Sequence, residues 1–233
     1  MKYSIIIPIF KERKNISQLV LKLTSALKLN KKKFEIIFVD DDSNDGSINE
    51  FNKIKRDNIR FYIRTKKPRD LSKSVVYGLN KSKFNNLVVM DGDLQHRPND
   101  LVKLMNIYEK KNFDLVIGSR KMNNYRETNL NPLRFYVSKL LNFITNLLFD
   151  YRLKDPMSGF FIINKKVFFK LKNKLFLLGY KILLDIITSS QKKIIFKEVY
   201  INFKSREKGF SKMRLKILIQ LIIFLIYKFI TKK

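Results

Sequence analysis

Short apolar runs that stop abruptly at polar clusters, each followed by a stretch of helical spacing, constrain this chain more than any other feature. Tyr3–Ile7 (YSIII), Phe34–Val39 (FEIIFV), Ile59–Ile63 and Leu87–Met90 read as strands, with Leu115–Ile117 as a fifth. Between them, Ile16, Leu19, Val20, Leu23 and Leu27 mark one face of a helix over Ile16–Leu29. Further helices are expected from Ser47, over Leu71–Leu79 and over Leu101–Lys110. Strands buried on both faces and joined by helices form a mostly parallel sheet with right-handed crossovers. In such sheets ligands bind beyond the carboxyl ends of the strands. Here those ends carry Pro8-Ile9-Phe10-Lys11-Glu12, Asp40-Asp41-Asp42, Asp91-Gly92-Asp93 and Gly118-Ser119-Arg120, so polar residues converge on one edge.

The second half has a different rhythm. Pro132–Phe149 is a long helical pattern, Asp155-Pro156-Met157-Ser158-Gly159 a loop, and Phe160–Ile163 a strand. Tyr180–Ser189 reads as a helix, Ile194–Phe203 as a strand, and Met213–Ile230 is strongly apolar. Without repeats, low-complexity tracts or a Gly/Ser linker, the chain divides best into one domain over 1–212 and a basic, apolar tail over 213–233. A helix over Leu215–Ile230 would be about 24 Å long at the standard rise, short of the roughly 30 Å of a bilayer core. Lys216, Gln220 and Lys228 interrupt it, and Lys212, Arg214, Lys232 and Lys233 flank it. Shallow insertion into a membrane interface fits that pattern; the alternative is a packing or oligomer helix. The start, Met1–Phe10, is too short an apolar run for a signal-peptide core and reads as a first strand.

Composition narrows the chemistry. The chain has 233 residues, no Cys, one His and a net charge of +29. A disulfide framework, a Cys nucleophile and a multi-His metal centre are therefore excluded. The charge is uneven, +9 over residues 1–100 and +20 over 101–233. Such a field favours anionic partners, whether nucleic acid, a membrane surface or phosphorylated substrates.

The sharpest chemical signal is Asp91-Gly92-Asp93-Leu94-Gln95 at the end of a buried strand. Two carboxylates at i, i+2 project from one side of the backbone. With a Gln oxygen they make a hard, incomplete site suited to Mg2+ or Mn2+, open to water and phosphate. The bland alternative is a turn and helix cap, and the same holds for Asp40–Asp45. Asp155 and Ser158 read as loop-shaping, and His96 as a local hydrogen-bonding residue. Arg69-Asp70 precedes a helix on the ligand edge.

These residues resemble a family. Ser4-Ile5-Ile6-Ile7-Pro8-Ile9-Phe10-Lys11-Glu12 looks like the opening strand of family 2 glycosyltransferases, and Val39–Ser47 is similar to their acidic nucleotide turn. Asp91–Pro98 resembles the metal motif of the polyprenyl-phosphate sugar synthases among them, especially the dolichyl-phosphate mannosyltransferases. Gly118-Ser119-Arg120, Asp155-x-x-Ser158-Gly159-Phe160 and Phe203-x-x-Arg206-x-x-Gly209-x-Ser211-Lys212 follow in the family's order. The resemblance implies a GT-A type, Rossmann-like α/β fold acting on a nucleotide sugar. It implies that Pro8, Phe10, Glu12, Val39 and Asp41 hold the nucleoside. Asp91, Asp93 and Gln95 would ligate the metal, with Gly92 beside the donor. Arg120, Arg206 and Lys212 would surround the phosphates of donor and acceptor, and Arg134 and Ser138 would join Arg120 at the acceptor phosphate. Asp93, Arg120 and Arg206 would be the catalytic residues. Phe10 and Lys11 replace the family's usual Tyr and Asn, and Gly92 stands where Ala is common; no required charge is lost.

The acceptor class has an independent argument. Transfer to an alcohol needs a general base, whereas a phosphate monoester is largely a dianion at neutral pH. A chain with one His and many late Arg and Lys suits an anionic nucleophile. The expected activity is inverting transfer of a hexosyl group, mannose from GDP-mannose, onto a polyprenyl or dolichyl phosphate, at the cytoplasmic face of a membrane. A UDP-glucose donor is the alternative within the class. A non-catalytic nucleic-acid or membrane binder is the alternative outside it, but acidic residues at the strand ends would repel a polyanion, so no nucleic-acid partner is expected.

Overall fold

A computed structural model of the chain describes residues 1–54, 56–120, 132–149, 152–179, 181–190, 192–202 and 215–231. β1 (Lys2–Ile9) is buried at every position after Lys2, as a strand covered on both faces must be. It lies parallel to β2 (Lys33–Asp40) on one side and to β4 (Asn86–Val89) on the other, and β3 (Ile59–Ile63) pairs in parallel with β2. β7 (Phe196–Ile201) runs parallel to β5 (Leu115–Arg120). Between β4 and β5 lies β6 (Phe161–Asn164), antiparallel to both. The seven strands take the order β3-β2-β1-β4-β6-β5-β7. Because β6 is reversed, the loop that enters it sits at the edge where β4 and β5 end.

The helices are α1 (Ile16–Leu29), α2 (Ser47–Asn52), α3 (Leu71–Asn80), α4 (Pro98–Lys110), α5 (Pro132–Phe149), α6 (Lys165–Leu171), α7 (Ile182–Thr188) and α8 (Leu215–Thr231). The period-2 alternation of the strands divides the core between the two faces of the sheet. On one face Ile5, Ile7, Phe38 and Val88 pack with Leu19, Leu23, Leu101 and Leu104 of α1 and α4. On the other, Ile6, Leu87, Val89 and Phe161 pack with Val75, Phe168, Leu183 and Ile187 of α3, α6 and α7. Each such fully buried side chain contributes roughly 1.5–3 kcal/mol of transfer free energy. α6 was not read from the sequence; its signal is Asn164, whose side chain caps it by accepting from the backbone N–H of Lys166 at 2.8 Å.

α8 is held to the body by Leu221, Phe224 and Leu225, which pack with Met157 and Leu184 and against Ile144 and Leu148 of α5. Lys228, counted among the residues that interrupt the apolar tail, is buried in this seam. Its Nζ lies 2.8 Å from Asp185 Oδ1 and donates to Ser189 Oγ at 2.6 Å. The helix therefore turns Lys228 inward, and its described isoleucines face outward. Ile219, Ile222, Ile223, Ile226 and Ile230 are exposed on α8, and Tyr136, Leu140, Phe143 and Leu147 on α5. No described helix is long and apolar enough to cross a membrane.

Candidate active site

The sheet register sets the first half of the site. Pro8 pairs with Val39 and Ile9 with Asp40, so the turns after β1 and β2 lie side by side, tied by the Asp41 N–H donating to Ile9 O at 3.0 Å. Val39 itself is fully buried, close to Gly78. The acidic run is a turn held by its own bonds. The Asp40 carboxylate accepts from the Ser43 hydroxyl and backbone N–H, and Asp45 caps α2 through Ser47. Burial pushes the Asp40 carboxyl above the usual range, although the Ser43 bonds oppose it. Asp41, also buried, lies 2.5 Å from Arg64 Nη2 and accepts the backbone N–H of Asp70 at 2.7 Å. Asp42 is held below the usual range, first by its bond to Lys67 and then by Arg69.

Arg69 closes this half. Its guanidinium donates to the carbonyls of Asp41 and Asp42 at 3.1 and 2.8 Å and stands 5.1 Å from the ring centroid of Phe10. Glu12, two residues on, accepts from Asn15 Nδ2 at 2.6 Å. Phe10, Glu12 and Asp41 thus border one polar turn cluster. Arg64, which has no place in the sequence reading, and Asp70, expected with Arg69 before a helix on the ligand edge, anchor it from beneath. Their only sequence signal is position: one follows β3 and the other precedes α3.

The second half forms where β4, β5 and the loop entering β6 meet. The backbone N–H of Asp91 donates to Nδ1 of His96 at 3.2 Å. His96 is buried and stacked on Phe160, ring centroids 4.6 Å apart. Burial drives its pKa down to about 4, with the nearby Asp93 charge opposing, so the ring is neutral at pH 7 and Nδ1 is its acceptor nitrogen. Asp93 is buried and accepts the Gln95 N–H at 3.2 Å. A Cβ on Gly159 would lie 3.2 and 3.3 Å from the Asp91 carboxylate oxygens, so only a bare backbone passes there without displacement. At Gly92 the added atom would meet Ile9 Cγ2 at 2.7 Å; the methyl of an Ala is replaced here by the branch of Ile9.

Arg120 ends β5 and is gripped by Asp155. Its Nε donates to Asp155 Oδ2 at 2.8 Å and Nη2 to Oδ1 at 2.9 Å, a bidentate fork. Asp155 is wholly buried. Burial alone would raise its pKa, but the Arg120 charge and hydrogen bonds prevail and hold it below the usual range. The Arg120 pKa is raised in turn: burial opposes, and Asp155 and then Asp91 outweigh it. Ser158 Oγ donates to Gly118 O at 2.7 Å and pins the loop to β5. Asp91, His96, Arg120, Ser158 and Gly159 line one open cleft of about 70 Å³.

The structure therefore brings Asp91 and Arg120 to one cleft and Phe10, Glu12 and Asp41 to a neighbouring turn on the same edge. Ser138 lies half-buried on α5. The Arg134 side chain, Arg206 and Lys212 lie outside the described residues. Asp155, expected to shape its loop, does so and also orients the arginine. Among the described residues no group of three or more His, Cys, Asp or Glu is arranged to hold a metal by itself. The oxygen-only set of Asp91, Asp93 and Gln95 fits a hard divalent ion that takes its remaining ligands from phosphate and water.

Parallel strands with one reversed member and carboxylates at their carboxyl ends are the arrangement expected of a GT-A type fold. The family described as glycosyl transferase family 2 matches residues 4–171. The dolichol-phosphate mannosyltransferase of Saccharomyces cerevisiae is 32% identical over 229 residues, covering 94% of this chain and 84% of that protein. That of Pyrococcus furiosus is 34% identical over 218 residues, covering 92% of this chain but 60% of its own length. Glucosyl-3-phosphoglycerate synthase from Mycobacterium tuberculosis, solved in complex with Mn2+, UDP-glucose and phosphoglyceric acid, shares the fold. Its TM-score is 0.71 at 13% identity, over 99% of this chain and 79% of that one. The chain belongs to glycosyltransferase family 2.

Proposed function

We propose that the chain transfers mannose from GDP-mannose to a dolichyl or other polyprenyl phosphate, with inversion at the anomeric carbon. The observation that carries this reading is the cleft where Arg120, held by buried Asp155, shares the walls with Asp91. The names of the relatives at 32–34% identity support the donor sugar and the lipid acceptor.

In this reading Phe10, Glu12 and Asp41 border the nucleoside, with Pro8 and fully buried Val39 setting the strand ends behind them. Asp91, Asp93 and Gln95 would hold Mg2+ or Mn2+, which when bound neutralises charge on the departing diphosphate. Arg120, with Arg134 and Ser138, orients the acceptor phosphate, and Arg206 and Lys212 cover the donor phosphates. His96, neutral and engaged at Nδ1 by the Asp91 N–H, supplies no general base, and a phosphate dianion needs none. Catalysis is then alignment and electrostatics. Labelled GDP-mannose and UDP-glucose, each incubated with polyprenyl phosphate and a divalent ion, test the reading; label from GDP-mannose should enter the lipid phase, and label from UDP-glucose alone would overturn the donor. Asp91→Asn and Asp93→Asn should each cut transfer at least ~100-fold with an unchanged melting temperature; full activity in either removes the metal role.

The exposed apolar faces of α5 and α8 meet the acceptor's bilayer in this reading. Leu140→Glu with Phe143→Glu, and separately Ile222→Glu with Ile226→Glu, should reduce co-sedimentation with anionic vesicles about tenfold or more. Unchanged partitioning in both pairs would count against that surface.

A further inference from the structure

Glu198, on β7, takes no part in the sequence reading, yet its carboxylate gathers donors from two segments. Ser119 Oγ donates to Oε1 at 2.7 Å. The backbone N–H of Lys154 donates to Oε2 at 2.9 Å and that of Asp155 to Oε1 at 3.1 Å. Ser119 immediately precedes Arg120, and Asp155 is the carboxylate that Arg120 grips. Two residues further along the same face of β7, Tyr200 receives Lys154 Nζ 4.6 Å from its ring centroid. The strand thus holds the loop at consecutive outward positions, once by a carboxylate and once by an aromatic face.

We infer that Glu198 is a positioning residue: it sets the backbone of Lys154 and Asp155, and through the Asp155 fork it sets where the Arg120 guanidinium stands in the cleft. The inference rests on the reading of Arg120 as the residue that orients the acceptor phosphate. A carboxylate is suited to this place because three donors converge on it, and an acceptor-only group satisfies them all. A glutamine turns an N–H2 toward one of them. An alanine leaves the Lys154 and Asp155 N–H groups to water and frees the loop. Displacement of a reacting group by about 1 Å costs on the order of 100-fold in rate, so a small shift of Arg120 is enough to register.

The test uses the full chain with Glu198→Ala, Glu198→Gln, Arg120→Lys and the Glu198→Ala/Arg120→Lys pair. In Glu198→Ala, kcat with polyprenyl phosphate should fall at least ~10-fold, while GDP affinity by calorimetry stays within about twofold, since the nucleotide turn is held separately. Glu198→Gln should fall between. Lysine cannot make the fork, so in the Arg120→Lys background Glu198→Ala should add little. A second readout needs no turnover: Arg120 should react faster with phenylglyoxal in Glu198→Ala than in the parent, followed by peptide mass spectrometry. An unchanged phenylglyoxal rate, or multiplicative kinetic losses in the double variant, overturns the inference. If the parent chain transfers no sugar to the lipid phosphate, the functional reading fails, and the Arg120 labelling rate still decides the role of Glu198.

Discussion

Replacing Asp155 by Asn is expected to cost about 3–5 kcal/mol of stability, because it leaves the Arg120 guanidinium largely buried with its countercharge gone. For a chain of this size that is a fall of roughly 10 °C in the melting temperature. Activity should fall with it, even at temperatures where the variant is folded. The pH dependence separates charge from packing. The Asp155 carboxyl titrates below its unfolded value, so its stabilisation is complete above the unfolded pKa of about 4 and is lost as the pH falls through the still lower folded value. The gap between parent and variant should be constant from pH 7 to about 5 and should narrow below about 4. A melting temperature within about 2 °C of the parent at pH 7 would show that Asp155 does not compensate Arg120.

A second large effect is expected where α8 packs on the body. Lys228→Met strands the Asp185 carboxylate, 2% exposed, leaving it the Leu177 N–H and the Ser189 hydroxyl as partners among the described residues. The expected loss is again about 3–5 kcal/mol, read by thermal unfolding. Lys228→Met combined with Asp185→Leu removes both charges, and most of that loss should return. If the double variant is no more stable than the single one, the seam depends on Asp185 for its hydrogen bonds and not on the charge pair. Limited proteolysis supplies a check at the helix itself, since α8 should be released early in the single variant.

Much of the architecture is legible in the residues because strands covered on both faces are continuous apolar runs. Ile59–Ile63, Ile16–Leu29 and Pro132–Phe149 fall where their periodicity places them. Direction is different. Phe161–Asn164 is as apolar as its neighbours, and hydropathy carries no sign for parallel or antiparallel pairing, so the reversal of β6 is invisible before the fold is seen. The polar strand ends announce a ligand edge for a physical reason: only there does a parallel sheet expose residues that its core does not need. Glu198 does not announce itself, since it acts through partners dozens of residues away and sits in no chemically suggestive local pattern, and Asp155, though it opens a family-like motif, carries no sign of the arginine it grips 35 residues away. Lys228 misleads for the opposite reason. A lysine in an apolar helix resembles an interfacial residue, and only the packing of α7 reveals a buried partner.

The reversed strand also bears on the order in which the chain becomes competent. A chain leaves the ribosome amino end first, and domains gather their contacts as they emerge. The turns of β1, β2 and β3 and the Asp91–Gln95 segment are complete within the first hundred residues. Arg120 follows soon after, but its carboxylate arrives with residue 155, and the strand that steadies that carboxylate arrives only with residue 198. A nascent chain therefore owns its acidic turns long before it owns a formed cleft.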